Sequence, residues 1–431
     1  MSDLTTNSSH SAPHISRDLN VELLRIIACL MVIMIHVRPF PFSGTTLRDA
    51  VIFINVINGP AVAAFFLISG FFISKKQTLS HIILRFLNGV ILPTAVFVFC
   101  LGLIRPWIDT PGMSLLDSIL TSQPLTVLSD MLQGFLAFDT VRFGIYADHL
   151  WYIFSYASIM FWMPVILTLV KHDESTVLKL MLLIGAFHYT LVNLSALVVL
   201  PFGIYLPESM GKPALYSVAG YLFYSWIKKV RATEQPHTKN KRLPILFLLM
   251  FIILSTILFF LQKHVYIQGL MMGKSVDELN TDYYFTSWSG LLCSLQTVSL
   301  AGFLLLLPLK LQYKNGTSSV NSESADNNSS IDQTKQSSGK KDVSDSAVDK
   351  LITTLGGYTF YIYLIHYIFT NHFRATGLEA TFKTFFGETS LGLILYSLIY
   401  SLFIFVFCSI LIYITKELVV KWVGLCKRHA E

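Results

Sequence analysis

An arginine and a histidine eleven residues apart stand inside one apolar run near the N-terminus. The run is Asn20 to Pro39, NVELLRIIACLMVIMIHVRP, and it carries Glu22, Arg25 and His36. As a helix, eleven residues are about three turns, so Arg25 and His36 share a face roughly 16 Å apart along the axis. An imidazole, with an ordinary pKa of about 6.5, exchanges a proton readily at neutral pH. A guanidinium holds phosphate and carboxylate oxygens. An arginine at mid-bilayer costs about 2.5–3.5 kcal/mol on insertion scales, and less near an end where its stem can snorkel. A cation and an imidazole on one stripe of a spanning helix therefore point to use. The plainer alternative has Arg25 anchoring one end of the helix and His36 lying near the opposite headgroups.

Further candidates follow in chain order. FFLISGFFI, Phe65 to Ile73, contains Ser69-Gly70, a pair that lets a ligand or merely another helix backbone approach closely. Arg85, with Lys75 and Lys76, forms a basic group suited to anionic lipid or to the phosphates of a cytosolic donor. Asp148-His149-Leu150-Trp151-Tyr152 opens an apolar run; Trp151 and Tyr152 fit an interfacial belt, whereas Asp148 and His149 fit a cavity beside His36. Tyr358-Thr359-Phe360-Tyr361-Ile362-Tyr363-Leu364-Ile365-His366 ends on another intramembrane histidine. The hydroxyls of Tyr358, Thr359, Tyr361 and Tyr363 suit a sugar or neighbouring helices, and His366 reads as a packing residue or as a partner at the depth of His36. No phosphate-binding glycine loop, GxSxG, HExxH or paired-cysteine pattern occurs, and no metal site is expected.

The elements that must position these residues are membrane helices. Hydrophobic residues make up 53% of 431 and charged residues 13%, with mean hydropathy +0.58. Ordinary soluble domains carry about 25% charged residues. Long apolar runs without period-two alternation mean helices rather than barrel strands. Ten spans are expected, near 20–38, 52–73, 87–105, 149–170, 177–199, 212–228, 243–262, 286–309, 351–373 and 390–415. The fold class is therefore an all-α polytopic membrane bundle. Of 32 Lys and Arg residues, 22 fall on the tails and even-numbered loops and nine on the odd-numbered loops. That asymmetry puts both termini in the cytoplasm, Arg25 toward the inner end of its helix and His36 toward the outer end. The same sidedness accounts for the net charge of +6 without nucleic acid.

Residues 1–19 read as a disordered cytoplasmic tail without a cleaved signal peptide, and 416–431 as a basic cytoplasmic tail. Between them, 20–415 reads as one membrane domain, with a disordered Ser/Asn/Lys-rich cytoplasmic loop at 312–350. The long outer connection 106–148 contains apolar pieces that lie in the interface or dip back into the protein. The five cysteines are scattered and read as small core residues.

Arg25 and His36 with ten residues between them, FFLISGFF, the Arg85 to Pro93 stretch, HLWYI and YTFYIYLIH together resemble the ordered motifs of the integral-membrane acyltransferase-three family. The resemblance covers about residues 20–415 and is greatest to stand-alone bacterial members that O-acetylate surface polysaccharides. Glu22 stands where that family more often has Asp, the 312–350 insertion is long for it, and no extracytoplasmic domain is expected after the last span. The resemblance implies acetyl-CoA as a donor substrate rather than a permanently bound cofactor. It implies a polysaccharide or lipid-linked saccharide acceptor, membrane lipid as surroundings, and the bacterial cytoplasmic (inner) membrane as location. Arg25 would steady the CoA end or the thioester carbonyl, and His36 would act as general base or transient acetyl carrier. Two rivals fit the same residues. A transporter or flippase moves acetyl groups or saccharide units without making bonds, and a scaffold uses the stripe only for packing.

Overall fold

Asp18 sets the start of the first helix, because its carboxylate accepts the Asn20 N–H at 3.1 Å and its carbonyl accepts those of Val21 and Glu22 at 3.0 and 3.1 Å. The computed structural model describes residues 18–37, 45–110, 113–137, 139–143, 145–197, 208–233, 242–273, 290–308, 346–387 and 389–430. Every regular element among them is helical. Helix α1 (Leu19–Val37) is followed by α2 (Thr45–Asn58), α3 (Pro60–Phe71), α4 (Leu79–Phe86), a π turn (Leu87–Ile91) and α5 (Leu92–Asp109). Short helices α6 (Leu115–Thr121) and α7 (Pro124–Ala137) and 3₁₀ turns at Thr140–Phe143 and Ile145–Leu150 lead to α8 (Trp151–Lys171). Then come α9 (Ser175–Leu197), α10 (Glu208–Thr233), α11 (Arg242–Met271) and α12 (Leu291–Leu305). Helices α13 (Ala347–Ala375), α14 (Leu378–Phe386) and α15 (Ser390–Ala430) complete the described chain.

Each expected span falls on a helix, and six helical stretches are long and apolar enough to cross a membrane: Leu19–Val37, Leu47–Phe71, Leu79–Asp109, Trp151–Lys171, Arg242–Met271 and Ser390–Val419. By helix composition this is a multi-pass membrane protein. The other four expected spans lie on α9, α10, α12 and α13. The apolar parts of α9 and α12 are short, and α10 and α13 carry more polar side chains.

Three boundaries differ from the sequence expectation. The second span is a broken pair, because Pro60 has no N–H for the Val56 carbonyl; Gly59 N–H at 3.3 Å and Gln296 Nε2 at 3.0 Å take that oxygen instead. The expected 312–350 loop is cut short: α13 begins at Ala347, capped by Ser346, whose hydroxyl accepts the Asp349 N–H at 3.1 Å. Residues 312–345 of that loop, and 1–17 of the N-terminal tail, lie outside the described residues. The C-terminal stretch continues α15 as helix to Ala430. The 106–148 connection folds back on the bundle, burying Met131, Phe143 and Ala147 in the main core. Pro106 disrupts the end of α5, and there the buried Ser118 hydroxyl accepts from Trp107 N–H at 3.0 Å and donates to the Leu103 carbonyl at 2.9 Å. One side chain thus bridges a donor and an acceptor that a regular helix would pair with each other.

Helix α1 is the axis of the bundle. Leu24, Ala28, Met31 and Val32 join one core with α3, α8, α12 and α13, while Ile26, Cys29, Ile33 and Val37 join another with α2, α13 and α15. A helix buried on both sides must have its ends satisfied by protein. At its start, Asn20 donates to the carbonyls of Leu304 and Leu307 at 2.7 and 3.0 Å. Tyr224 and Arg231 of α10 bond the Asp18 carboxylate at 2.8 and 2.7 Å, and Arg231 also caps Leu305. At its finish, Arg374 donates to the His36 carbonyl at 3.2 Å and Tyr396 to that of Val37 at 3.4 Å. Arg374 is itself held by the buried Glu379 at 2.8 Å, which Lys383 also engages at 2.7 Å.

Helices α3 and α10 meet backbone to backbone. A Cβ on Gly220 would lie 1.9 Å from the Leu67 carbonyl oxygen, and one on Gly70 would lie 1.9 Å from that of Ser217. Gly220→Ala should therefore force the helices apart and lower stability by about 1–3 kcal/mol. Thermal unfolding in detergent reads this, with Gly89→Ala, whose Cβ meets nothing within 4 Å, as the control.

Burial alone would raise the Glu379 carboxyl, but the Lys383 hydrogen bond and the charges of Arg374 and Lys383 outweigh it and hold the group below the usual carboxylate range. This cluster stabilises the fold fully above the ordinary glutamate pKa of about 4.3, and the contribution is lost as pH falls through the depressed folded value. Unfolding scans from about pH 6 to pH 3 should show that acid limb, and Glu379→Gln should flatten it.

Candidate functional site

Three helical elements bring three histidines together. His36 comes from the last turn of α1, His149 from the 3₁₀ turn before α8, and His366 from the middle of α13. Ring centroids are 5.3 Å apart for His36 and His366, 5.2 Å for His149 and His366, and 6.3 Å for His36 and His149. Tyr367 closes the group, 4.8 Å from His36 and 5.0 Å from His149. His149 and His366 are buried, whereas His36 and Tyr367 are half-buried and form its more open side.

Tyr363 organises the buried half. Its hydroxyl donates to the His149 carbonyl, and its own carbonyl accepts from His149 Nε2 at 3.0 Å and from His366 Nδ1 at 2.8 Å. A carbonyl has no proton to give, so both nitrogens carry hydrogen and both tautomers are fixed. Among the described residues no group of His, Cys, Asp and Glu is set to hold a metal ion.

Arg25 stands about three turns before His36 on α1. It grips Glu22 with bonds of 3.0 and 3.2 Å and lies 4.9 Å over the Phe72 ring. Glu22 is buried against Gly356 of α13, where a Cβ would come within 2.2 Å of its carboxylate. Only glycine lets the carboxylate sit there, and the carboxylate in turn aims the guanidinium. Tyr152 and Tyr156 stand about one turn apart on α8. These tyrosines continue a file of ring contacts from the histidines: His149 to Tyr363 at 5.2 Å, Tyr363 to Tyr152 at 5.5 Å, Tyr152 to Tyr156 at 6.1 Å and Tyr156 to Phe86 at 5.6 Å.

The other expected site residues lie elsewhere or play packing parts. Ser69 donates to Phe66 O at 2.6 Å and Ser217 Oγ at 3.1 Å, within the tight α3–α10 contact. Arg85 is exposed on α4 and bonds His81 at 3.0 Å, while Lys75 pairs with Asp173, so the basic residues are engaged separately. Trp151 and Tyr361 are outward, 38% and 46% exposed. Asp148 belongs to the 3₁₀ turn, but its side chain lies outside the described residues. Sequence reading passed over Tyr367, Arg374 and Glu379. Tyr363 acts through its carbonyl as well as its hydroxyl, and its position three residues before His366 marks a carbonyl within reach of that ring.

No curated protein and no solved structure matches the chain. The acyltransferase-3 family, described as an acyltransferase domain, matches residues 18–414. That span takes in every helix that builds the histidine cluster and the Glu22–Arg25 pair. A multi-pass helical membrane protein with this match over most of its length belongs to the acyltransferase-3 family, and it is an acyltransferase.

Proposed function

We propose that the protein is a bacterial inner-membrane O-acetyltransferase that moves an acetyl group from cytosolic acetyl-CoA to a hydroxyl of a cell-surface polysaccharide or a lipid-linked sugar. The observation that carries this reading is the meeting of His36 with His149 and His366 on the helix that also bears Arg25. His36 takes the proton of the acceptor hydroxyl, the oxygen attacks the thioester carbonyl, the C–S bond breaks, and the thiolate of CoA leaves and is protonated. In the two-step form, a His36 nitrogen attacks first, releases CoA and passes the acetyl group to the hydroxyl. Arg25, about 16 Å along the axis, serves the donor: its guanidinium is aimed by Glu22 and keeps 26% of its side-chain surface accessible. Both termini lie in the cytoplasm in this reading, so donor and acceptor approach opposite ends of α1.

His36→Ala should abolish acetyl transfer from labelled acetyl-CoA in proteoliposomes while expression, insertion and thermal unfolding stay normal. Persisting O-acetyl product in that variant removes the proposal. Arg25→Gln should raise KM for acetyl-CoA about tenfold or more, as loss of a charge-assisted contact of about 1.5–3 kcal/mol implies. A donor KM unchanged by that substitution argues against a donor role for Arg25. Cargo movement with no ester formed at all would favour the transporter reading instead.

A further inference from the structure

The mechanism above uses His36 and leaves two buried nitrogens unexplained. His149 Nε2–H is spent on the Tyr363 carbonyl, and His366 Nδ1–H on that same carbonyl and, at 3.2 Å, on that of Ile362. As neutral rings, each keeps a lone pair on its other nitrogen. Those atoms, His149 Nδ1 and His366 Nε2, are buried and have no hydrogen-bond partner among the described residues. A buried acceptor left unmet is costly, and here two stand on rings 5.2 Å apart, beside His36. Packing alone gives no reason to retain them, since an apolar ring of similar size would leave no nitrogen unmet.

The chemistry of the missing partner follows from what it must offer. Two lone pairs need two hydrogen-bond donors. A thioester has only acceptor atoms, so the reacting end of the acyl donor does not satisfy them. A hydroxyl does, and it arrives uncharged. A protonated amine also donates, but burying an ammonium costs several kcal/mol unless it is paired with an anion, and its nitrogen has no lone pair with which to attack. The open side of the cluster, His36 and the half-buried Tyr367, leaves a way for such a group to enter.

Taking the O-acetyltransferase reading as its basis, we propose that His149 Nδ1 and His366 Nε2 bind two neighbouring hydroxyls of the acceptor, presenting a sugar hydroxyl to His36 and excluding amines. Tyr363 is the positioning residue that fixes both tautomers. The same pair of hydroxyls occurs on a free glycoside and on a lipid-linked sugar, so the test includes both forms.

The full chain is reconstituted in proteoliposomes with labelled acetyl-CoA. Methyl glucoside and dodecyl glucoside serve as acceptors, with their single-deoxy and amino-sugar analogues. Wild-type protein should acetylate the glucosides on oxygen. Removing either hydroxyl of one adjacent pair should raise KM about tenfold or more, the loss expected for one hydrogen bond to a buried acceptor. The amino analogue should give no N-acetyl product. Preference for the dodecyl form identifies a lipid-linked acceptor, and preference for the methyl form a free one. His149→Phe and His366→Phe should each raise KM for the intact glucoside more than they lower kcat, and each should abolish one of the two deoxy penalties. The wild-type deoxy series needs no substituted protein, so a misfolded variant leaves the proposal testable. Equal KM across that series, a deoxy penalty that survives in both variants, N-acetylation, or acetyl-CoA turnover without transfer to any glucoside overturns it. Failure of the underlying reading looks different: acetyl-CoA is not consumed at all, or His36→Ala protein is as active as wild type.

Discussion

The fold depends on α1 being captured at both ends. Asp18 and Asn20 tie its start to α10 and to the carbonyls that end α12, and Arg374 and Tyr396 take the carbonyls of His36 and Val37 at its finish. In a hydrocarbon medium a helix end without partners costs several kcal/mol per group. Holding both ends with side chains from α10, α13 and α15 and with the last carbonyls of α12 also fixes how α1 is rotated and how deep it sits. The helix that carries Arg25 and His36 is then held against turning at both ends.

The same economy appears at Tyr363. One carbonyl accepts from two imidazoles, and the hydroxyl of the same residue holds the backbone of the 3₁₀ turn that delivers His149. Buried polar groups of this kind are strong when every partner is met and costly when one is not. The arrangement orients rings that would otherwise flip between tautomers. It also places the two unmet imidazole nitrogens on neighbouring rings.

The helices themselves were legible, because an apolar run of about twenty residues has few other fates in a membrane protein. Helix ends were less so. Pro60 breaks the second span at a place where the apolar run continues, and Ser346 starts α13 inside a stretch whose composition reads as a loop. Both errors come from weighing composition over a window when a single cap or a missing N–H decides the boundary. Ser69-Gly70 was correctly read as a place of close approach, but whether the neighbour is a helix or a ligand depends on Gly220 and Ser217, some 150 residues away.

The sequence alone determined the membrane class, the helix positions and the face shared by Arg25 and His36, since each follows from local apolarity and the 3.6-residue repeat. Tertiary structure alone decided that His149 and His366 join His36, that Tyr363 sets their tautomers, and that Arg374 and Glu379 hold the helix end. The meeting of the three histidines, the His149–Tyr363 bond and the Arg374–His36 bond link residues more than a hundred positions apart. No periodicity encodes them, and only the way the helices pack selects which polar groups meet.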